Sequence, residues 1–350
     1  MKRIIYFTLL MVLCYSCNKD ENLLLNNSNY KITEIITEDT NFVIDKPWEK
    51  EGIGYINVIK EESTWHLWYE SFYSSSTDHP DNSGALCYAY SEDGVNWIKP
   101  ELDLYTFYGE KSNIIYKSNI PKKGLHGVGV SRFINEPYKY RMAYNKLTGE
   151  SSEYPTKVYM MESVDGFNWE NEKLILDHPS DTQNILLNFN GENYLFFRKW
   201  SGGIHAKGKR TIGVVRDTKL NFNIDSIKTV QINGGAVPSN NGEYYNSSVK
   251  IIDERLFFFP TVFYPSEDKS KIEIAEGEFN EEYVSIKNND TSLNMKNNDF
   301  NLLAPQIIPV EGVGNQYYVY LYNRIGGHNI ASDESFIYKI KRIKISIESL

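Results

Sequence analysis

The sequence has almost no cysteine. Cys14 and Cys17 both lie in the first 17 residues, and Cys87 stands alone in everything that follows. The rest of the chain can form no internal disulfide, so its stability has to come from a packed core. Some 330 residues, by rough count, can supply one, as a single large domain or two smaller ones. Positive charge is also short. There are 37 Lys and Arg against 46 Asp and Glu, a formal net charge of -9. No basic stripe offsets that balance, which argues against nucleic acid as a partner. Several chemistries leave no trace. The chain has no G-x-x-x-x-G-K-[ST], no H-E-x-x-H, no C-x-x-C and no G-x-S-x-G. Helical patterning is scarce as well. No amphipathic stretch longer than about three turns competes with a strand reading.

What is abundant is aromatic: 26 Tyr, 17 Phe and 6 Trp. Aromatic rings suit pleated strands. They also suit sugars, because a pyranose C–H face stacks on a ring. Composition alone does not separate an all-β core from a glycan site.

The N-terminus reads MKRIIYFTLLMVLCYSCNKDEN. Lys2 and Arg3 precede an apolar run, Ile4 to Leu13, that is too short to span a bilayer stably. It reads as a secretory signal. Ser16 before Cys17 resembles a bacterial lipobox, with Cys17 as the lipidated first residue of the mature protein. Cys14 fits worse, because bulky Leu13 precedes it. The following N-K-D-E resembles the acidic export signal of surface lipoproteins in Bacteroidetes-type bacteria. The expectation is a signal peptide over 1–17, a tether over 18–29 and a folded domain over 30–350. The membrane is then reached only through a lipid anchor, at the outer membrane of the cell envelope, in either leaflet. The domain is expected to be monomeric.

The chain writes S-x-D-G-x-N-W twice, as SEDGVNW (91–97) and SVDGFNW (163–169), 72 residues apart. Around these copies, period-2 runs come in pairs: 54–73, 127–145, 184–200, 246–264 and 304–324. Each pair encloses a polar turn, and the pairs start roughly 60 to 70 residues apart. Each is followed by a third strand: 85–91, 157–163, 210–216, 271–277 and 336–347. The first two third strands run straight into the heptad. Antiparallel units of three to four strands, repeated five times, predict an all-β, five-bladed β-propeller. The early strand YKITEII (30–36) has no partner nearby and is placed to close the ring against the last blade. Within the heptad, Asp bonds turn N–H groups and Gly tolerates positive φ. Asp93, Asp165, Trp97 and Trp169 are therefore read as structural.

Five such units, two of them ending in the heptad, resemble the five-bladed propeller glycosidases: the arabinanase, invertase and levansucrase superfamily. DKPWE (45–49), KSNIIY (111–116), LHGVG (125–129), SDTQN (180–184) and FFRKW (196–200) are similar to stretches in a poorly characterised branch of it. The resemblance covers roughly residues 30 to 347. It implies chemistry in the central funnel, where the chain enters each innermost strand, carried by three acidic residues from the first three blades. One carboxyl must donate a proton to the leaving oxygen while another stays ionised.

Mapped onto this chain, Asp45 and Glu49 are candidates for base or nucleophile, and Asp181 for acid or tuning carboxylate. His126 stands where the relatives place an aspartate, and Asp181 where they place a glutamate. His126 and Arg198 are expected to position the sugar. Trp200, Arg210, Glu243 and Tyr244 complete the expected binding set, and Asn301 marks the start of the fifth blade. Each has a plainer reading: a turn residue for Asp45, a solvated loop residue for Asp181 and Arg210, a satisfied core histidine for His126, an interblade ion pair for Arg198. His205 and His328 lie in glycine-containing loops at the rim. A structural calcium on the axis is compatible with the resemblance, but no ligand spacing demands it; no other cofactor is expected. The expected activity is glycoside hydrolysis of an oligo- or polysaccharide. A glycan-binding protein without turnover, on the same fold, is the alternative; a protein-interaction scaffold finds no specific support.

Overall fold

The computed structural model describes residues 30–73, 84–117, 125–134, 136–147, 156–238, 241–252, 254–279, 284–293, 299–328 and 337–349. The signal, the tether and Cys17 lie outside the described residues. What is described is almost entirely strand, with two single-turn 3-10 helices.

The strands form five blades. Strand β1 (Tyr30–Asp39) comes first in the chain but belongs to the last blade. Blade 1 holds β2 (Gly52–Glu61), β3 (Thr64–Phe72) and β4 (Ala85–Ser91). A small hairpin, β5 (Leu102–Phe107) and β6 (Glu110–Ser112), then precedes the short outer strand β7 (Ile114–Tyr116). Blade 2 is β8 (Leu125–Arg132), β9 (Tyr140–Leu147), β10 (Thr156–Ser163) and β11 (Glu170–Leu176). Blade 3 is β12 (Ile185–Phe189), β13 (Glu192–Trp200), β14 (Arg210–Asp217) and β15 (Lys228–Thr229). In blade 4, β16 (Gln231–Ile232) lies parallel outside an antiparallel set: β17 (Glu243–Ile252), β18 (Arg255–Tyr264), β19 (Lys269–Phe279) and β20 (Val284–Ser292). Blade 5 is β21 (Asp299–Pro309), β22 (Gln316–Ile325) and β23 (Ile337–Ser349), with β1 antiparallel to β23 on its outer edge. The ring closes as the unpartnered N-terminal strand predicts, and the fold is a five-bladed β-propeller.

The core follows from this arrangement. A blade is buried on both faces, so it needs apolar side chains on both. Five apolar clusters fill the five seams between neighbouring blades. Successive residues of one strand point into different seams. On β3, Trp68 packs between blades 1 and 2, while Tyr69 packs between blades 5 and 1.

Both heptads are turns after third strands. Asp93 Oδ1 accepts from the backbone N–H groups of Val95 and Asn96, and Asp165 Oδ1 does the same for Phe167 and Asn168. Burial raises the Asp165 pKa, but these bonds outweigh it and hold the group below the ordinary carboxylate range. The aspartates are fully used in holding the turn.

Amides fill the axis. Gln183 of blade 3 donates to Asn57 Oδ1 of blade 1 at 3.1 Å and to the Ile56 carbonyl at 3.0 Å. Gln306 of blade 5 donates to the Val130 carbonyl of blade 2 at 2.6 Å. Each link skips a blade, so each crosses the channel. Asn246 adds a bond to Gln183 Oε1 at 3.2 Å.

Candidate active site

The site is built by irregularities in the inner strands. β2, β8, β17 and β21 each shift register: between Gly54 and Asn57, His126 and Gly129, Tyr244 and Asn246, and Leu303 and Ile307. Bulges re-aim the side chains around them. In β2 the shifted stretch contains Tyr55 at φ 43°, a left-handed conformation that strains a bulky residue. In β8 it contains Gly127 at φ 64°. A Cβ there would lie 2.0 Å from the Thr182 carbonyl oxygen, and one on Gly129 would lie 1.7 Å from that of Asn184. The glycines beside His126 thus admit the backbone of the 180–184 segment.

That segment carries Asp181 against β8 and β13. Arg198, only 2% exposed, donates to Asp181 Oδ1 at 2.5 Å and to the Tyr245 carbonyl at 2.5 Å. Its guanidinium lies 4.2 Å from the Tyr245 ring centroid. His205 Nε2 is 3.7 Å from Asp181 Oδ2. Burial raises the Asp181 pKa. The Arg198 charge and both histidines, His205 and His126, overcome it and hold the carboxyl down to about 2. Asp181 is therefore ionised at any ordinary pH, and still 30% exposed.

His126 sits beside it. Its Nδ1 is 3.3 Å from Glu70 Oε2, and its Nε2 is 3.3 Å from the Tyr55 hydroxyl. That hydroxyl donates to the Asp181 carbonyl at 3.4 Å. Glu70, at the end of β3, is fully buried and accepts from the Val128 N–H at 2.6 Å. Burial lowers the His126 pKa, but Glu70 and then Asp181 outweigh it, and the net direction is up. On the blade 4 side, the Tyr245 hydroxyl is 2.8 Å from His328 Nε2, and Arg210 donates to Glu243 at 2.5 Å. The Arg210 guanidinium is 5.5 Å from the Tyr245 ring centroid, which joins this pair to the cluster.

The structure thus brings together Asp181, His126, Arg198, Arg210 and Glu243. Four expected residues are placed differently. Glu49 is fully buried and bound by the Tyr69 hydroxyl at 2.6 Å, Lys99 at 2.7 Å, and the N–H groups of Asp45 and Lys46. Tyr69 and Glu70 are successive on β3, so Glu49 lies in the seam opposite Glu70. Asp45 is 52% exposed and pairs with Lys46 and Lys99, in Glu49's group rather than Asp181's. Tyr244 packs in the apolar seam between blades 3 and 4, and its neighbour Tyr245, also buried, is the one that lies against Arg198. Trp200 is buried, its ring 4.6 Å from that of His205, so it props the histidine and offers no stacking face. Sequence reasoning missed Tyr55, Glu70 and Tyr245. Glu70 had a signal: it follows Trp68 by two residues on one strand, hence shares its face toward blade 2.

Among the described residues, no group of three or more His, Cys, Asp or Glu is placed to hold a metal. The axis carries no carboxylate at its crossing links. The oxygens of Asn57 and Gln306 already accept from Val130 N–H and Val58 N–H. Calcium takes six to eight oxygens, usually with carboxylates, and these residues do not fit it.

No family model matches the chain. It is 29% identical over 160 residues to a beta-1,2-mannobiose phosphorylase from a Thermoanaerobacter species. That match spans 43% of this chain and 49% of the relative's length. Among solved structures, the GH62 alpha-L-arabinofuranosidase catalytic domain of Coprinopsis cinerea superposes at a TM-score of 0.54. Identity is 8%, over 88% of this chain and 95% of that one. The GH32 beta-fructofuranosidase of Bombyx mori superposes at 0.52 with 12% identity, over 83% of this chain and 59% of that one. The chain has the five-bladed propeller fold of these glycosidases, and the resemblance carried by its repeated heptad holds at that level.

Proposed function

We propose that the protein cleaves glycosidic bonds of an oligo- or polysaccharide at the face where the chain enters its inner strands. The observation that carries this reading is Asp181. It is held ionised by buried Arg198, remains partly open, and sits among His126, Tyr55 and His205. An oxocarbenium-like transition state needs an ionised carboxylate beside the anomeric carbon. Asp181 would stabilise that charge or take the proton of the attacking acceptor. The acceptor is water in a hydrolase. The name of the 29% identical relative makes inorganic phosphate the second acceptor to test.

The test is product release from a panel of glycans and aryl glycosides, with and without phosphate. Asp181→Asn should lower kcat/KM at least about 10²-fold while sugar affinity is kept. A wild-type protein that binds glycans and cleaves none would leave the binding-protein reading. One observation favours that alternative: Asp45 and Glu49 are tied up away from Asp181. The lipid anchor and envelope location belong to the same proposal. Metabolic labelling with a fatty acid should be lost in Cys17→Ala.

A further inference from the structure

Asp181 leaves the reaction half equipped. A carboxylate that stays ionised can serve as base or nucleophile, but it cannot donate a proton to the leaving oxygen. The other carboxyls near it are spoken for. Glu243 is bound by Arg210, and Glu70 lies under the surface with no exposure at all. Two partly open imidazoles stand beside Asp181: His205, 25% exposed, and His126, 41% exposed and the one backed by a buried carboxylate, Glu70.

Its surroundings are built rather than incidental. Glu70 Oε1 is fixed by the Val128 N–H, and Oε2 faces His126 Nδ1 at 3.3 Å. The ring is packed edge-on against Tyr55, 4.8 Å between centroids, with Phe72 tilted beside it at 6.3 Å. A buried carboxylate behind a half-open imidazole keeps the proton on Nδ1 and leaves Nε2 toward the Tyr55 hydroxyl, 3.3 Å away on the Asp181 side. The titratable and charged groups facing the ring are Glu70 from β3, Tyr55 from β2, and Asp181 and Arg198 from blade 3. Two negative charges against one positive favour the imidazolium.

Resting on the glycosidase reading, we propose that His126, oriented by Glu70, is the proton donor of the reaction, so that an imidazolium replaces the usual carboxylic acid. His126 Nε2–H passes its proton to the glycosidic oxygen as the C1–O bond breaks, and the leaving sugar departs as an alcohol. The acceptor water forms the new bond to C1 and gives its proton to Asp181. The resting state returns when Asp181 loses that proton and His126 regains one from solvent. Glu70 touches no reacting atom and is a positioning residue. The Tyr55 hydroxyl, between Nε2 and the Asp181 carbonyl, orients the resting imidazole, and the glycosidic oxygen takes its place at Nε2 in the reaction.

The experiment compares leaving groups. A dinitrophenolate departs without protonation, whereas a sugar alkoxide does not. His126→Gln should lower kcat/KM on an unactivated glycan by about 10²- to 10⁴-fold and on the matching dinitrophenyl glycoside by less than about tenfold. Glu70→Gln should move the alkaline limb of the pH profile to lower pH, because the imidazolium loses its buried counter-charge. The same change should appear as a lower His126 pKa in an NMR titration, a readout that needs no turnover and also reports folding. Equal losses on both substrates, or an unmoved titration in Glu70→Gln, would overturn the assignment while leaving Asp181 and the glycosidase reading standing. A wild-type enzyme inactive on every substrate overturns the glycosidase reading itself, and the donor role with it.

Discussion

Trp68 donates its indole N–H to the carbonyl of Gly166, 2.9 Å away in the next blade. Tyr320 repeats the contact one blade earlier, its hydroxyl 2.8 Å from the Gly94 carbonyl. Both acceptors are glycines of the S-x-D-G-x-N-W turns, and both donors stand on the second strand of the preceding blade. The copied heptad therefore latches blade 5 to blade 1 and blade 1 to blade 2. Gly166 has φ 81°, and a Cβ there would lie 2.8 Å from the Trp68 ring. Gly166→Ala should cost about 2–4 kcal/mol, from left-handed strain and overpacking together. Urea unfolding measures it, and an unchanged midpoint would refute the latch.

Arg198 is what keeps Asp181 charged. Without it, burial would act on the carboxyl with only the histidines opposing. The folded pKa lies below the unfolded one, so this ion pair contributes stability above about pH 4 and loses it as pH falls toward 2. Arg198→Met should raise the Asp181 pKa by more than about one unit. The acid limb of the activity profile should then move up in pH. A limb that stays in place would show that another group sets it.

Glu49 should matter for stability and not for turnover. It is buried against Lys99, itself only 8% exposed, and holds two backbone N–H groups of the Asp45–Lys46 turn. Glu49→Gln leaves Lys99 without its main counter-charge, a change that costs about 3–5 kcal/mol for a buried pair. The protein that remains folded at low temperature should keep a kcat within about threefold of wild type, since the bonds of Glu49 go to Tyr69, Lys99 and the Asp45–Lys46 turn and not to Asp181 or His126. A catalytic role for Glu49 would instead show as lost kcat with an unchanged melting temperature.

The blades were legible because each obeys local rules: alternation, a polar turn, a third strand. Even the closure by residues 30–36 followed from a strand with nothing nearby to pair with. The cluster was legible mostly where a blade begins, as with Asp181, His126 and Glu243, and otherwise at strand ends, as with Arg198 and Arg210. Glu70 ends a second strand, and its meeting with His126 is a contact across 56 residues that no local pattern announces. Glu49 misled for the opposite reason, because nothing around it names Lys99, fifty residues on, as its partner. The choice of Tyr244 over Tyr245 failed at a bulge: the register shift between Tyr244 and Asn246 breaks the alternation that would assign faces.

That neighbouring pair offers the sharpest local test. Tyr244 belongs to the apolar cluster of Tyr194, Phe196, Val214 and Phe258, so its ring helps fill a seam. Tyr244→Ala should cost about 3–5 kcal/mol in stability, and Tyr244→Phe should leave kcat/KM within about twofold. Tyr245 is different. Its ring lies under Arg198, near Arg210 and against Phe263 and Phe300, and its hydroxyl meets His328. Removing that ring lets Arg198 shift, and Asp181 with it. Misplacement by an ångström costs on the order of 10²-fold in rate, so Tyr245→Ala should lower kcat/KM by about that factor. Steady-state kinetics and thermal unfolding on the three variants separate the roles. If Tyr244→Phe proved the catalytically damaging change, the site would be built from the other face of β17, and the placement of Arg198 against Tyr245 would have no functional meaning.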